Sequence, residues 1–339
     1  MNDSTLQKEN KSFLSKVGEF FTDKNGGFQT ILKKLRKQNG WLFLLPAIAL
    51  MCLFTFYPIV NSLTTAFKQN YDALANTYDG WGIGNFVTVI KGGISAAEFK
   101  TCLINTLILA FVSVPVSIII SLLISVALNS IKALQKAYQT IFFLPYLTNA
   151  LAMGAVFATF FQMVGTQSNT ETLGLVNDIL VLMGLNHVNW MNIGSSAIAN
   201  YFVIIVYSTW SGLPFKILII FSALQNVGKQ YYDAAKIDGA TKTTVLTKIT
   251  VPLISPMLSY LLITGIMGAL KSYSSIVGLF GQYMGPYNNY EMGTMVGYIY
   301  DLIGQNLIGH AAAGSLILFV IIMIFTAINT QVSKKRVHY

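Results

Sequence analysis

The long stretches of this chain that carry no charged side chain constrain its fold most. No Asp, Glu, Lys or Arg occurs between Lys37 and Lys68, from Thr101 to Ile131, from Ala137 to Thr170, or from Leu302 to Ser333. A helix rising 1.5 Å per residue crosses the hydrocarbon of a bilayer with about 20 apolar residues, and each stretch exceeds that. Backbone groups in lipid must hydrogen-bond within their own segment, so these Val- and Ile-rich runs are helices rather than strands. Hydrophobic residues make up 54% of the chain and charged residues 10%, against about 25% charged in a soluble domain. The pattern predicts an all-α polytopic membrane protein with six spans at 41–67, 102–129, 138–163, 199–226, 252–274 and 307–331. The first run is too long, begins too far into the chain and lacks a small-residue cleavage site, so it does not read as a cleaved signal.

The cations give the expected orientation. Of the 22 Lys and Arg, 17 lie before the first span, at Lys132 and Lys136, at Lys229, Lys236, Lys242 and Lys248, or at Lys334–Arg336. The segments 164–198 and 275–306 have none. By the positive-inside rule both termini and residues 228–250 are expected to be cytoplasmic. The same dispersal makes a nucleic-acid partner unnecessary to explain the net charge of +9. In the 1–40 arm, apolar and cationic residues fall on opposite helical faces, which suits a helix lying on an anionic leaflet; a mobile tail is the alternative. A short tail, 332–339, follows the last span. Segment 68–101 carries Tyr71, Tyr78, Trp81 and Phe86, and segment 164–198 carries Trp190 and many Asn, as in an interfacial belt or a docking surface.

Catalytic constellations are missing from the sequence. It has no phosphate-binding glycine loop, no G-x-S-x-G and no H-E-x-x-H. Cys52 and Cys102 read as apolar packing and the three histidines are scattered, so no metal or redox site is expected. Acidic residues are nearly absent from the spans, which weighs against a proton-driven carrier.

The informative stretch runs Tyr232-Asp233-Ala234-Ala235-Lys236-Ile237-Asp238-Gly239-Ala240, followed by Leu246, Ile249, Pro252 and Pro256. Small Ala234 and Ala235 allow close approach by a partner. Gly239 permits a left-handed turn that ends a helix, and prolines suit the start of the next span. The expected product is helix, turn, helix. This stretch resembles the signature of ABC importer permeases, with Asp233 where Glu is usual and Leu246 where an aromatic is common. Leu45-Pro46-Ala47, Tyr57-Pro58, Asn105-Thr106, Phe142-Phe143-Leu144-Pro145, Ala223-Leu224-Gln225, Gly285-Pro286 and Gly309-His310-Ala311-Ala312-Ala313 extend the likeness to the branch importing oligosaccharides, polyols and glycerol phosphates, in its maltose-permease-type first subunit.

The resemblance implies a type I ABC importer permease fold and a six-helix permease domain over 41–331. It also implies a second permease, two cytoplasmic ATPase subunits carrying ATP and Mg, and an extracytoplasmic sugar-binding protein, with no cofactor in this chain. Asp233, Ala234, Ala235, Asp238, Gly239, Ala240 and Leu246 would form the ATPase-coupling surface. By distance from the signature, Gly212, Phe215, Gly268 and Ser272 fall near the family's substrate contacts.

Lys216 stands alone as a charge deep in its span. Placing it in lipid would cost about 2.5 kcal/mol or more, so it is expected to face the bundle interior or a wet cavity, or to snorkel. Gly212 and Pro214 are expected to break the helix beside it. Phe215, Lys216, Ser272 and Tyr273 offer stacking faces and hydrogen bonds to a sugar, although Gly212 and Gly268 suit helix packing equally well. A polyol or glycerol phosphate is the alternative cargo, the cation-free loops arguing against an anion. A membrane scaffold or sensor is the alternative function.

Overall fold

The computed structural model describes residues 40–92, 95, 97–131, 135–164, 172–286 and 290–336. The expectations for the 1–40 arm, for Lys132 and for the end of the C-terminal tail therefore fall almost wholly outside the described residues. The chain divides into two units, Met1–Ser62 and Leu63–Tyr339.

In the first unit the described residues form α1 (Gly40–Met51), a π-helical turn (Cys52–Phe56) and the start of α2 (Tyr57–Phe67). Side chains 44–61 are exposed.

The second unit begins with the hairpin of β1 (Lys68–Gln69) and β2 (Gly80–Trp81), then α3 (Gly84–Lys91), α4 (Phe99–Ile108), a π-turn (Leu109–Ser113) and α5 (Val114–Ser130). There follow α6 (Gln135–Phe143), a 3₁₀ turn (Leu144–Leu147), α7 (Ala150–Phe161), the hairpin of β3 (Met163–Val164) and β4 (Thr172–Leu173), α8 (Leu175–Leu182) and α9 (Ala197–Gln225). The chain ends with α10 (Lys229–Ile237), α11 (Lys242–Val245), a π-turn (Leu246–Thr250), α12 (Val251–Leu270), α13 (Ser274–Phe280), α14 (Met295–Gly304) and α15 (Ile308–Arg336).

Among the described residues, five helices are long and apolar enough to cross a membrane: Leu44–Phe67, Phe99–Ser130, Ala197–Gln225, Lys242–Leu270 and Ile308–Gln331. A sixth crossing exists if Ala137–Leu147 and Ala150–Phe161 count as one span, but that pair is bent by 99°. The span expected at 138–163 takes the form of this bent pair rather than one continuous helix. Pro145 disfavours helix in the residue before it, and a new helix starts where the Asn149 side chain accepts the Leu151 amide at 2.8 Å.

Each of the three π-turns among the described residues stands just ahead of a proline, Pro58, Pro115 or Pro252. A proline ring clashes with the carbonyl four residues back and cannot bond to it. Widening the turn, as in the Tyr57 amide's bond to the Cys52 carbonyl, accommodates the ring without ending the helix.

Small residues set the packing. Ser117, Ser121 and Ser125 of α5 are fully buried, and Ser125 Oγ donates to the Ile217 carbonyl of α9 at 3.2 Å. Where α7 crosses α13, a Cβ on Gly154 would lie 2.7 Å from Gly278 Cα, a backbone approach that only glycine permits. Near the other end of α4, Asn105 Nδ2 donates to the Glu291 and Gly293 carbonyls at 2.8 and 2.9 Å, and Thr106 Oγ1 accepts the Met295 amide at 2.9 Å. These bonds hold the loop before α14 against α4. Tyr290 in that loop donates to Asp301 at 2.8 Å. Burial first, and then Asp301, raises its pKa above the ordinary tyrosine range, so it stays a donor.

Candidate functional site

Two regions answer to the residues singled out in the sequence. The first is 228–250. Helix α10 ends in a Schellman motif: the Ala240 amide bonds the Ala235 carbonyl at 2.9 Å, the Gly239 amide bonds the Lys236 carbonyl at 3.3 Å, and Gly239 has φ +67°. Thr241 then caps α11 by accepting the Thr244 amide at 3.2 Å.

Helix and turn form as expected, but the second helix is not a separate element. It runs through the π-turn into α12, so the span begins at Lys242 rather than at residue 252. Pro252 sits in the first turn of α12 and Pro256 within it. The widened turn absorbs Pro252, so no break is needed.

Asp233, Ala234, Asp238 and Gly239 are exposed, and Ile237 between them is 86% exposed. Ala235 is buried in the chain's own packing, so the close-approach reading applies to Ala234 and not to both alanines. Ala240 and Leu246 are half-buried. With Tyr232, Lys236 and Lys242 they line a recess of about 370 Å³.

The second region is a cavity of about 180 Å³ walled by the π-turn before α5, α5 itself, α9 and α12. Of the sequence candidates, Gly212, Lys216, Gly268 and Ser272 line it; Phe215 and Tyr273 do not. Phe215 instead stacks on Tyr146 at 5.8 Å, and Tyr273 on Tyr300 at 4.4 Å. Helix α9 continues unbroken through Gly212 and Pro214, against the expected break, because both residues are held inside a helix packed along α5.

Lys216 is buried, and its arm lies over glycine: a Cβ on Gly212 would meet its Nζ at 2.6 Å, and one on Gly265 would lie 3.8 Å from its Cε. Ser113, Ser117, Ser208, Ser211 and Ser275 complete the polar lining, and sequence reasoning missed all five. For Ser113 and Ser117 the signal was spacing. Ser113, Ser117, Ser121 and Ser125 recur every four residues, one stripe of a helix face.

The arrangement can offer hydroxyl groups and one ammonium to a polar solute. The described lining contains no aromatic ring.

Residues 92–338 match the family described as binding-protein-dependent transport system inner membrane component. The arabinooligosaccharides transport system permease protein AraP of Bacillus subtilis is 28% identical over 88% of this chain and 93% of its own. The lactose transport system permease protein LacF of Rhizobium radiobacter is 27% identical over 90% and 97%. Among solved structures, a chain of a bacterial alginate ABC transporter in complex with an alginate pentasaccharide-bound periplasmic protein superposes with a TM-score of 0.70. It is 24% identical over 90% of this chain and 97% of that one, and it shares the fold. This multi-pass chain belongs to the family of binding-protein-dependent transport system inner membrane components, the permease subunits of ABC importers.

Proposed function

We propose that the chain is a permease subunit of a sugar importer. It forms the translocation pathway with a second permease, receives its saccharide from an extracytoplasmic binding protein, and docks through 228–250 onto one of two cytoplasmic ATPases. Those subunits supply ATP and Mg, and this chain has no ATPase site or cofactor of its own. Both termini lie in the cytoplasm with the docking segment, as the cation distribution favours.

The observation that carries the sugar assignment is the cavity lining. Six serines and a lysine around about 180 Å³ gather donors and acceptors in one place, as a polyhydroxylated solute requires. The related permeases for arabinooligosaccharides and lactose support it. Docking is supported by the exposed Asp233, Ala234, Ile237 and Asp238 on one short helix. Stacking by Phe215 or Tyr273 is no longer part of the reading, since neither lines the cavity.

The test is ATP-dependent uptake in vesicles containing this chain, its partner permease, the ATPases and the binding protein. Uptake of saccharides is expected. Accumulation of amino acids or peptides with no saccharide transported would refute the assignment.

A further inference from the structure

One feature of the cavity is not required by a neutral saccharide. Lys216 is 8% exposed, and none of the residues walling the cavity is acidic. Among the described residues the structure gives its ammonium no ion-pair or hydrogen-bond partner. A second group is also orphaned there: Ser113 Oγ, on a residue 3% exposed, lacks a hydrogen-bond partner. A buried cation is costly unless a counter-charge meets it, and an unpaired buried hydroxyl adds to that cost. Both groups belong to the lining of one cavity, from helices on different sides of it.

We propose that this cavity receives the anionic group of its substrate, so that the cargo is a saccharide bearing a carboxylate or a phosphate. This inference rests on the sugar-importer reading above. Lys216 Nζ would donate to the anion, and Ser113 with Ser211 and Ser272 would supply hydroxyl donors around it, as charge-assisted hydrogen bonds. Gly212 and Gly265 leave room for the lysine arm to swing toward its guest. The cation-free segments 164–198 and 275–306 do not oppose this. A binding protein that hands substrate over directly removes the need for long-range steering by loop charges, so the charge inside the pathway decides what is held there.

The experiment uses the complete reconstituted importer in vesicles, with neutral probes (maltotriose, lactose), a carboxylate probe (digalacturonate) and phosphate probes (glucose 6-phosphate, glycerol 3-phosphate). Uptake of at least one anionic probe is expected. Lys216→Met should lower the ratio of anionic to neutral uptake by about ten-fold or more, the loss for one charge-assisted bond, while the ATPases still co-purify. Lys216→Arg should keep the anionic preference. Digalacturonate uptake without the phosphates, or the reverse, tells a carboxylate from a phosphate cargo. Uptake of neutral probes alone overturns the charge assignment and leaves the importer reading intact. Equal losses for all probes in Lys216→Met, or loss of the second permease on purification, also overturn it, by making Lys216 an assembly residue. No uptake of either class overturns this inference and the sugar reading together.

Discussion

Gly239 gives the proposed docking element its most direct test, because the structure separates two reasons for needing glycine. A Cβ there would meet no atom of this chain within 4 Å, yet φ is +67°. Within the isolated chain a substitution is therefore strained but not crowded. The left-handed conformation costs an ordinary side chain about 1–2 kcal/mol, roughly a five- to thirty-fold shift in the population holding the Schellman turn. Asn tolerates this conformation better than Ala or Asp. If strain is the whole effect, Gly239→Asn should approach wild type, with Gly239→Ala and Gly239→Asp both impaired. If a partner surface packs closely on the exposed turn, any side chain there interferes, and Gly239→Asn fails too. The docking reading requires the second pattern, with Gly239→Asp worst because it adds charge beside Asp238. Two measurements decide it: co-purification of the ATPase with each variant, and substrate-stimulated ATP hydrolysis in reconstituted vesicles. The binding protein should bind its ligand normally throughout. Wild-type values for Gly239→Asp in both assays would make 228–250 an ordinary connecting turn.

Other outcomes follow from the same geometry. In a background lacking the native cysteines, a cysteine at exposed position 236 should resist an impermeant thiol reagent in intact cells and react after lysis; labelling from outside would reverse the topology. Ile237→Asp should reduce ATPase co-purification with little effect on the chain's own stability, because that side chain is 86% exposed. Gly154→Val should destabilise the α7–α13 crossing by about 1–3 kcal/mol, read as a lower melting temperature in detergent, because its Cβ would sit 2.7 Å from the Gly278 backbone. Phe215→Ala should loosen the contact with Tyr146, worth about 0.5–1.5 kcal/mol, without changing substrate preference; an altered preference would return Phe215 to the pathway.

The crossing helices were readable because lipid penalises charge so heavily that the gaps between cations mark them. The Gly239 turn was readable for a similar reason: one residue type alone adopts that backbone freely. What sequence did not reveal depends on the surroundings of a residue. Pro145 and Pro252 are the same residue in similar apolar contexts, yet one accompanies a 99° bend and the other only a widened turn. The difference is settled by what packs alongside each helix. Ala234 and Ala235 are adjacent and identical, but one is exposed and the other buried, because a helix turns about 100° per residue. Phe215 and Lys216 differ in the same way, and only Lys216 reaches the cavity.

The two regions are joined by helix rather than by loop, and that bears on how docking can act on the cavity. Helix α9 carries Gly212 and Lys216 and ends at Gln225, shortly before α10 begins at Lys229. Beyond the turn, Lys242–Leu270 is one 29-residue span, about 43 Å long at 1.5 Å per residue. It has Lys242 and Leu246 at one end and Gly268 at the other, so a tilt of about 10° at the docking end moves the cavity end by roughly 7 Å. A flexible linker would dissipate that movement. Continuous backbone transmits it, since packed helices respond as bodies rather than by local deformation. The departure from α-helix along this path is the π-turn at Leu246–Thr250, where Pro252 has already displaced the i→i−4 bonding. On the proposed function, motion imposed by the ATPases would be carried along this continuous helix to the walls of the cavity.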